Sequence, residues 1–491
     1  MRLMSPSGQI RKQGTFNLAS VYLGIVLGAL NTVVLYPRAF LGREDEWGLI
    51  QLLLAYGLVL SSFANLGIGR SLVRFIPYFP AERNALIAFA GKVSLFGLGL
   101  TVALLVIGQD YWLELIDAPP LFRRYGHLLL PLLALLMLAD LLTGMFQGMI
   151  RTRLPQFVTE VGLRLGVSVL LLVHLFTPLT FPLFLLLFFA LYLLRVLLLV
   201  FIYFRDYAWE ARARLSPKRR SELLKFGFIA LFSSSTAMVL TKVDQIFIGR
   251  YLSLADLTVY SIPSFIAGVI QAPARSIAPV GMPALSKAWA NRQLASIESI
   301  YRKSALIQML LSGGVFFLAF FVLDGLYYFL PAHYQAGKEV FLLLGLSRVG
   351  GSMFGVNAMV LMTSRLYRIN LFFNLLLIAG TIWLNWLLVP AYGLNGAALA
   401  VLLNIVGINL LRVVFVYFRF GFSPFDRNTL LALLVLLLPA ALAYLLPLRL
   451  GFWEEMILRS LVFGAFYLFL LWILRPSEDI HALLRRLVHR G

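Results

Sequence analysis

The sequence predicts an all-α polytopic membrane protein of about 14 transmembrane helices: two like-oriented six-helix bundles plus two extra C-terminal helices. Three observations predict it. Of the 491 residues, 60% are hydrophobic and only 13% charged, whereas soluble domains carry about a quarter charged residues. Apolar runs of ~20 residues, each long enough to cross the hydrocarbon core, recur from end to end. Lys and Arg gather in alternate loops, as they do when cations stay on the cytoplasmic side.

The first run, 16–36, follows Arg2, Arg11 and Lys12. It is too long for the apolar part of a cleaved leader, and no small-residue cleavage site follows it. It is therefore expected to remain as the first helix. Runs at 47–68, 86–108, 128–148, 157–175 and 181–203 complete a first bundle, 1–222. The most basic loop follows, with Arg205, Arg212, Arg214, Lys218, Arg219, Arg220 and Lys225. Runs at 226–248, 257–280, 305–329, 340–362, 369–389 and 394–417 form a second bundle, 223–420. Two more, 430–446 and 456–474, occupy 421–475 as an appendage. The tail, 476–491, places Ile480, Leu483, Leu484, Leu487 and Val488 on one helical face and Arg485, Arg486 and Arg490 elsewhere. That is the pattern of a cytoplasmic helix lying on an anionic leaflet.

The cytoplasmic set also includes Arg70, Arg74, Arg151, Arg153, Lys287, Arg302, Arg365 and Arg419. The opposite loops hold Arg38, Arg43, Arg123, Arg124, Arg250, Lys338 and Arg449, several beside acidic residues. Both termini are expected in the cytoplasm. The same bias explains the net charge of +20 without nucleic acid as a partner.

An internal repeat supports two bundles. At a shift of about 212–217 residues, Leu193-Leu194-Arg195-Val196 reappears as Leu410-Leu411-Arg412-Val413, and Thr152-Arg153-Leu154 as Ser364-Arg365-Leu366. Asn31 falls on Asp244, and Trp47 on Tyr260. An even number of spans separates the copies, so they share orientation and are related by an axis along the membrane normal.

Ionisable residues inside spans cost several kcal/mol each and mark functional sites. The cationic members are Arg164, Arg195, Lys242, Arg275, Arg348, Arg412 and Arg459; the acidic ones are Asp140, Glu160 and Asp244. Arg195 and Arg412 lie close enough to the cytoplasmic surface to snorkel. Glu160 and Arg164, four apart, can pair along one helix. Arg459 reads as an anchor at the outer edge. Lys242, Arg275 and Arg348 are harder to dismiss. Arg348 is flanked by Ser347, Gly350 and Gly351, and Arg275 stands between Pro273 and Pro279. Lys242 and Asp244 are two apart and so point in different directions. Desolvated guanidinium and ammonium groups suit a phosphate.

Enzymatic readings find little purchase. No phosphate-cradling Gly-x-x-x-x-Gly-Lys-Ser/Thr loop occurs, and the five histidines have no metal-ligand spacing, so neither cofactor nor metal is expected.

The chain resembles the polysaccharide or O-unit flippases of the multidrug/oligosaccharidyl-lipid/polysaccharide exporter superfamily. The resemblance lies in the order of several short stretches. The first copy has Leu35-Tyr36-Pro37-Arg38-Ala39-Phe40-Leu41-Gly42, Glu46-Trp47-Gly48 and Asn65-Leu66-Gly67-Ile68. The second has Lys225-Phe226-Gly227, Lys242-Val243-Asp244-Gln245-Ile246-Phe247-Ile248-Gly249 and Pro390-Ala391-Tyr392-Gly393-Leu394-Asn395-Gly396. It implies translocation of a polyprenyl-diphosphate-linked oligosaccharide from the inner to the outer leaflet of the cytoplasmic membrane by alternating access. Lys242, Arg275, Arg348, Arg164 and Arg38 would bind substrate. Asp244, Glu160 or Asp140 would take the coupling ion, H⁺ or Na⁺. Glycan carrier and membrane lipids are the expected partners, and a monomer should suffice. The alternatives are a lipid II flippase and a cation-coupled drug exporter, the latter disfavoured by so basic an interior.

Overall fold

The computed structural model describes residues 6–207, 215–447, 450–481 and 485; for 6–15, 233–234 and 273–280 it describes the backbone alone. Most of the described residues are helical, and none of them forms a strand. Two compact units emerge, Met1–Thr258 and Val259–Gly491.

The first unit opens with α1, Pro6–Ala29, which passes through a π-helical turn, Leu30–Leu35, into the short stretch Tyr36–Ala39. Helix α2, Glu44–Ala64, starts with Glu44, Asp45 and Glu46 in its first turn, where the backbone N–H groups favour negative charge. Helices α3 (Ile68–Phe75), α4 (Arg83–Ile107) and α5 (Leu129–Gly148) follow. Next come α6, Arg153–Phe176, with a second π-helical turn at Val158–Gly162, and α7, Phe181–Asp206. Helix α8, Pro217–Tyr251, begins with Pro217 after Ser216, whose Oγ accepts from the Arg219 N–H. Their shared core includes Ile68, Leu72, Leu86, Phe146, Leu199 and Leu223.

Small residues set the helix spacing. A Cβ on Gly144 would lie 2.7 Å from the Gly69 carbonyl oxygen, and one on Gly148 2.6 Å from that of Leu72, so α5 seats directly on α3. Gly67, at φ +66°, meets the Gly227 backbone, which lets α8 lie along α3. Helix α8 also runs beside α2. This packing explains why the contact boundary falls at Thr258, later in the chain than the repeat boundary expected at 222/223.

Helix α9, Leu254–Ile270, starts on α2: the Asp45 carboxylate accepts from the Ala255 N–H at 3.0 Å. In the second unit α10 (Ala272–Ala290) and α11 (Leu294–Tyr328) precede α12, Gly337–Met353, and α13, Asn357–Thr363, which are bent by 45°. Helix α14, Tyr367–Phe420, is 54 residues long and broken at Gly393, where φ is +57°. Helix α15, Arg427–Leu445, is capped by Asp426, which accepts from the Thr429 N–H at 3.0 Å. With α16, Phe452–Leu474, it forms the appendage. This hairpin packs on α11, where Gly313 and Gly314 make room for Leu436 and Tyr467.

Eleven helices among the described residues are long and apolar enough to span a bilayer, or twelve with the bent α12–α13 pair. The expected fourteen is reached only if α14 is divided at Gly393 and the shorter α9 is continued into α10. The described part of the tail rests on protein: Ile480 is buried beside Leu306 and Leu436, and Lys303 pairs with Asp479 at 3.6 Å. Leu483, Leu484, Arg486, Leu487, Val488 and Arg490 lie outside the described residues.

Candidate functional site

Each π-helical turn of the first unit packs against the helix that carries the other, Leu30–Leu35 against α6 and Val158–Gly162 against α1, and both carry polar residues. Such turns free a backbone carbonyl and recur at functional sites. Asn31, on the first, is buried. Its Nδ2 donates to the Arg164 carbonyl at 2.9 Å, and its Oδ1 accepts from Ser168 Oγ at 2.6 Å. Glu160, on the second, makes the ion pair with Arg164 that their spacing predicts, at 3.3 Å. Gly24 on α1 provides the space: a Cβ there would fall 2.5 Å from Arg164 Nη1.

Asp140 belongs to the same region. Its carboxylate accepts from Asn65 Nδ2 at 2.5 Å, and Asn65 Oδ1 accepts from Ser94 Oγ at 2.7 Å. The chain Ser94–Asn65–Asp140 thus ties α4 and the end of α2 to α5. Arg195 on α7 interacts electrostatically with both Glu160 and Asp140. Its side chain is half-buried. Arg164 is 36% exposed and Asp140 is exposed as well, although both sit on apolar spans. The cluster therefore borders open space.

Lys242 and Asp244 diverge along α8, as two-residue spacing requires. Lys242 Nζ donates to Gln245 Oε1 at 2.9 Å and is half-buried. Asp244 is buried, with Oδ1 accepting from the Gln245 N–H at 2.8 Å. Arg38 is exposed at the end of the turn Tyr36–Ala39.

The second unit has its own polar core. Arg412 on α14 is buried. It donates to Asn374 Oδ1 at 2.7 Å and lies 5.8 Å from the Phe373 ring. Asn404 donates to Thr381 Oγ1 at 2.5 Å and to the Leu377 carbonyl at 2.8 Å. Asn357 donates to Asn409 Oδ1 at 3.0 Å. Arg348 is half-buried on α12, and its neighbours Gly350 and Gly351 pack against Val406 and Ile405 of α14. The Arg275 side chain lies outside the described residues.

The sequence repeat sets Arg195 beside Arg412: Arg412 donates to Asn374, in the half of α14 before Gly393, and Arg195 feels the charge of Glu160 on α6. Glu160 and Asn374 are separated by nearly the same shift as the arginines. Sequence reasoning missed Asn65, Ser94, Asn374 and Asn404 because neutral polar residues in a span raise no charge signal. The recurrence of Arg195 at Arg412 was the available clue.

A sequence comparison with curated proteins gives no match. Among solved structures, the fold is similar to the lipid II flippase MurJ in its inward closed conformation, with TM-score 0.67 and 13% identity over 93% of this chain and 98% of that one. It is also similar to an inward-facing multidrug resistance MATE family transporter of the MOP superfamily, with TM-score 0.58 and 14% identity over 83% and 94%. The MATE transporter VcmN of Vibrio cholerae gives TM-score 0.54 and 15% identity over 83% and 97%. Residues 12–289 match the profile of a family described as polysaccharide biosynthesis protein. With that match covering more than half of its length and a multi-helix fold of the MOP type, the chain belongs to the polysaccharide biosynthesis protein family of membrane proteins.

Proposed function

We propose that this protein moves a polyprenyl-diphosphate-linked oligosaccharide from the inner to the outer leaflet of the cytoplasmic membrane by alternating access. The observation that carries this reading is a set of partly exposed cations, Arg164, Arg195 and Lys242, held inside an apolar bundle. A cation is too costly there to serve packing alone, and a diphosphate headgroup is the complementary charge. The lipid tail can stay in the bilayer while the headgroup crosses. Arg38, Arg275 and Arg348 extend the candidate substrate contacts. The distribution of basic loops supports cytoplasmic termini, and one copy of the chain is proposed to suffice.

Transport is coupled to H⁺ or Na⁺, with Asp140, Glu160 and Asp244 as candidate carriers. Asp140 has the best claim, because it combines exposure with a relay through Asn65 to Ser94. A second reading, lipid II as cargo, draws support from the likeness to MurJ, which extends over 93% of this chain against 83% for the MATE transporter.

The test is translocation in sealed vesicles that hold purified protein, a fluorescent undecaprenyl-diphosphate oligosaccharide and no ATP. An imposed ion gradient should drive transfer, and Arg164→Ala or Lys242→Ala should slow it by roughly tenfold or more, the equivalent of one lost charge-assisted hydrogen bond. Unchanged rates in both variants would sink the assignment. Preferential transfer of a lipid II analogue would select the second reading.

A further inference from the structure

The end of the second unit remote from the C-terminal tail holds a cavity of about 570 Å³. Its walls come from four helix ends: the last turns of α11 and α15 and the first turns of α12 and α16. One wall is ionic. Lys338 Nζ pairs with Asp324 Oδ1 at 2.5 Å, and Arg459 Nη2 with Glu455 Oε1 at 2.6 Å. Arg459 Nη1 also donates to the Tyr444 carbonyl at 2.5 Å, while its buried Nε meets no acceptor among the described residues. Glu339 accepts from Asn395 Nδ2 at 2.6 Å and leaves the lining with one carboxylate more than it has cations.

The rest of the lining is largely apolar and includes Phe320, Phe321 and Phe452. Beside it Tyr328, Phe329, Phe452 and Trp453 pack ring against ring, with centroids 5.1–5.7 Å apart. Aromatic groups of this kind settle at the headgroup level of a bilayer. The cavity thus combines both signs of charge with an apolar side at the depth where lipid headgroups lie. Its volume is in the range of small-molecule sites.

The geometry points to a binding site for the headgroup of a zwitterionic aminophospholipid, apart from the polar clusters of the two bundle interiors. Arg459 and Lys338 suit the phosphodiester: Arg459 Nε meets no acceptor among the described residues, and Lys338 Nζ has donors beyond the one that pairs with Asp324, so both can bind a phosphate with their ion pairs kept. The surplus carboxylate at Glu339 suits the primary ammonium. Phe320, Phe321 and Phe452 accept the glycerol backbone and first methylenes. A purely anionic lipid would satisfy the cations and meet repulsion at Glu339; a choline headgroup could not donate hydrogen bonds to it.

Native mass spectrometry on the full chain, offered phosphatidylethanolamine, phosphatidylcholine and phosphatidylglycerol with identical acyl chains, tests the assignment. Phosphatidylethanolamine should be retained roughly tenfold better than the other two, as one charge-assisted contact implies. Glu339→Gln keeps an acceptor for Asn395 and should erase that preference without lowering the melting temperature. Arg459→Gln should weaken binding of all three. Equal retention of phosphatidylglycerol, an unchanged preference in Glu339→Gln, or no bound lipid would each overturn the proposal, as would displacement of the lipid by a free oligosaccharide.

Discussion

A methyl group at position 48 would meet the Leu254 carbonyl, because the start of α9 rests on the backbone of α2 there. Both partners are main chain, so neither can move aside cheaply. Gly48→Ala should destabilise the protein by about 1–3 kcal/mol, the usual cost of overpacking, and lower its melting temperature in detergent. Gly99→Ala, in α4, meets nothing within 4 Å and should raise that temperature through the ~0.5–1 kcal/mol that helical alanine gains over glycine. Equal melting temperatures for the two variants would refute this view of the helix contact. Individual charges were legible in the sequence: the Glu160–Arg164 pair follows from spacing alone. The acceptors and donors around them were not, because Asn65 and Ser94 find partners on other helices and Asn374 across the break in α14, and such adjacency is a tertiary property.

The C-terminal segment shows how an element can depart from its pattern. The sequence reads as an amphipathic helix for the membrane surface, yet Ile480 enters the core and His481 lies 4.8 Å from the Trp472 ring. Periodicity identifies an apolar face without saying whether lipid or protein will cover it. Burial, followed by the nearby Arg475 and Arg485, holds the His481 pKa below its ordinary 6.5. The undocked segment therefore binds a proton more readily than the docked one. Docking is fully favoured above that ordinary value and weakens as pH falls through the lowered one. Amide protection across 476–481, with the intrinsic pH dependence of exchange divided out, should fall as pH drops below the ordinary 6.5, and His481→Phe should flatten the profile. A wild-type profile already flat would rule out the histidine as the cause.

For the molecule as a whole, fold class was legible because hydrocarbon thickness and loop charge leave few alternatives; the compact units divide at Thr258, and the repeat boundary expected from sequence lies at 222/223. Sequence similarity registers the repeat, but the contacts of α8 with α2 and α3 decide which unit that helix joins. Orientation can be read directly, since the chain contains no cysteine and any introduced thiol is unique. Ser253→Cys and Asp117→Cys should react with an impermeant maleimide added to intact cells. Ser216→Cys and Ser423→Cys should react only after permeabilisation. The opposite pattern would invert the topology.

The break at Gly393 has a consequence for how the chain enters the membrane during synthesis. An unbroken helix of 54 residues would be ~80 Å long, far beyond one bilayer, and the turn that divides it includes no extended hydrophilic loop. Asn404 then reaches across the hairpin to Thr381 and the Leu377 carbonyl. Left alone in lipid, each half would expose amide groups that the other half satisfies. Entering lipid as a pair therefore costs the two halves less than entering one at a time.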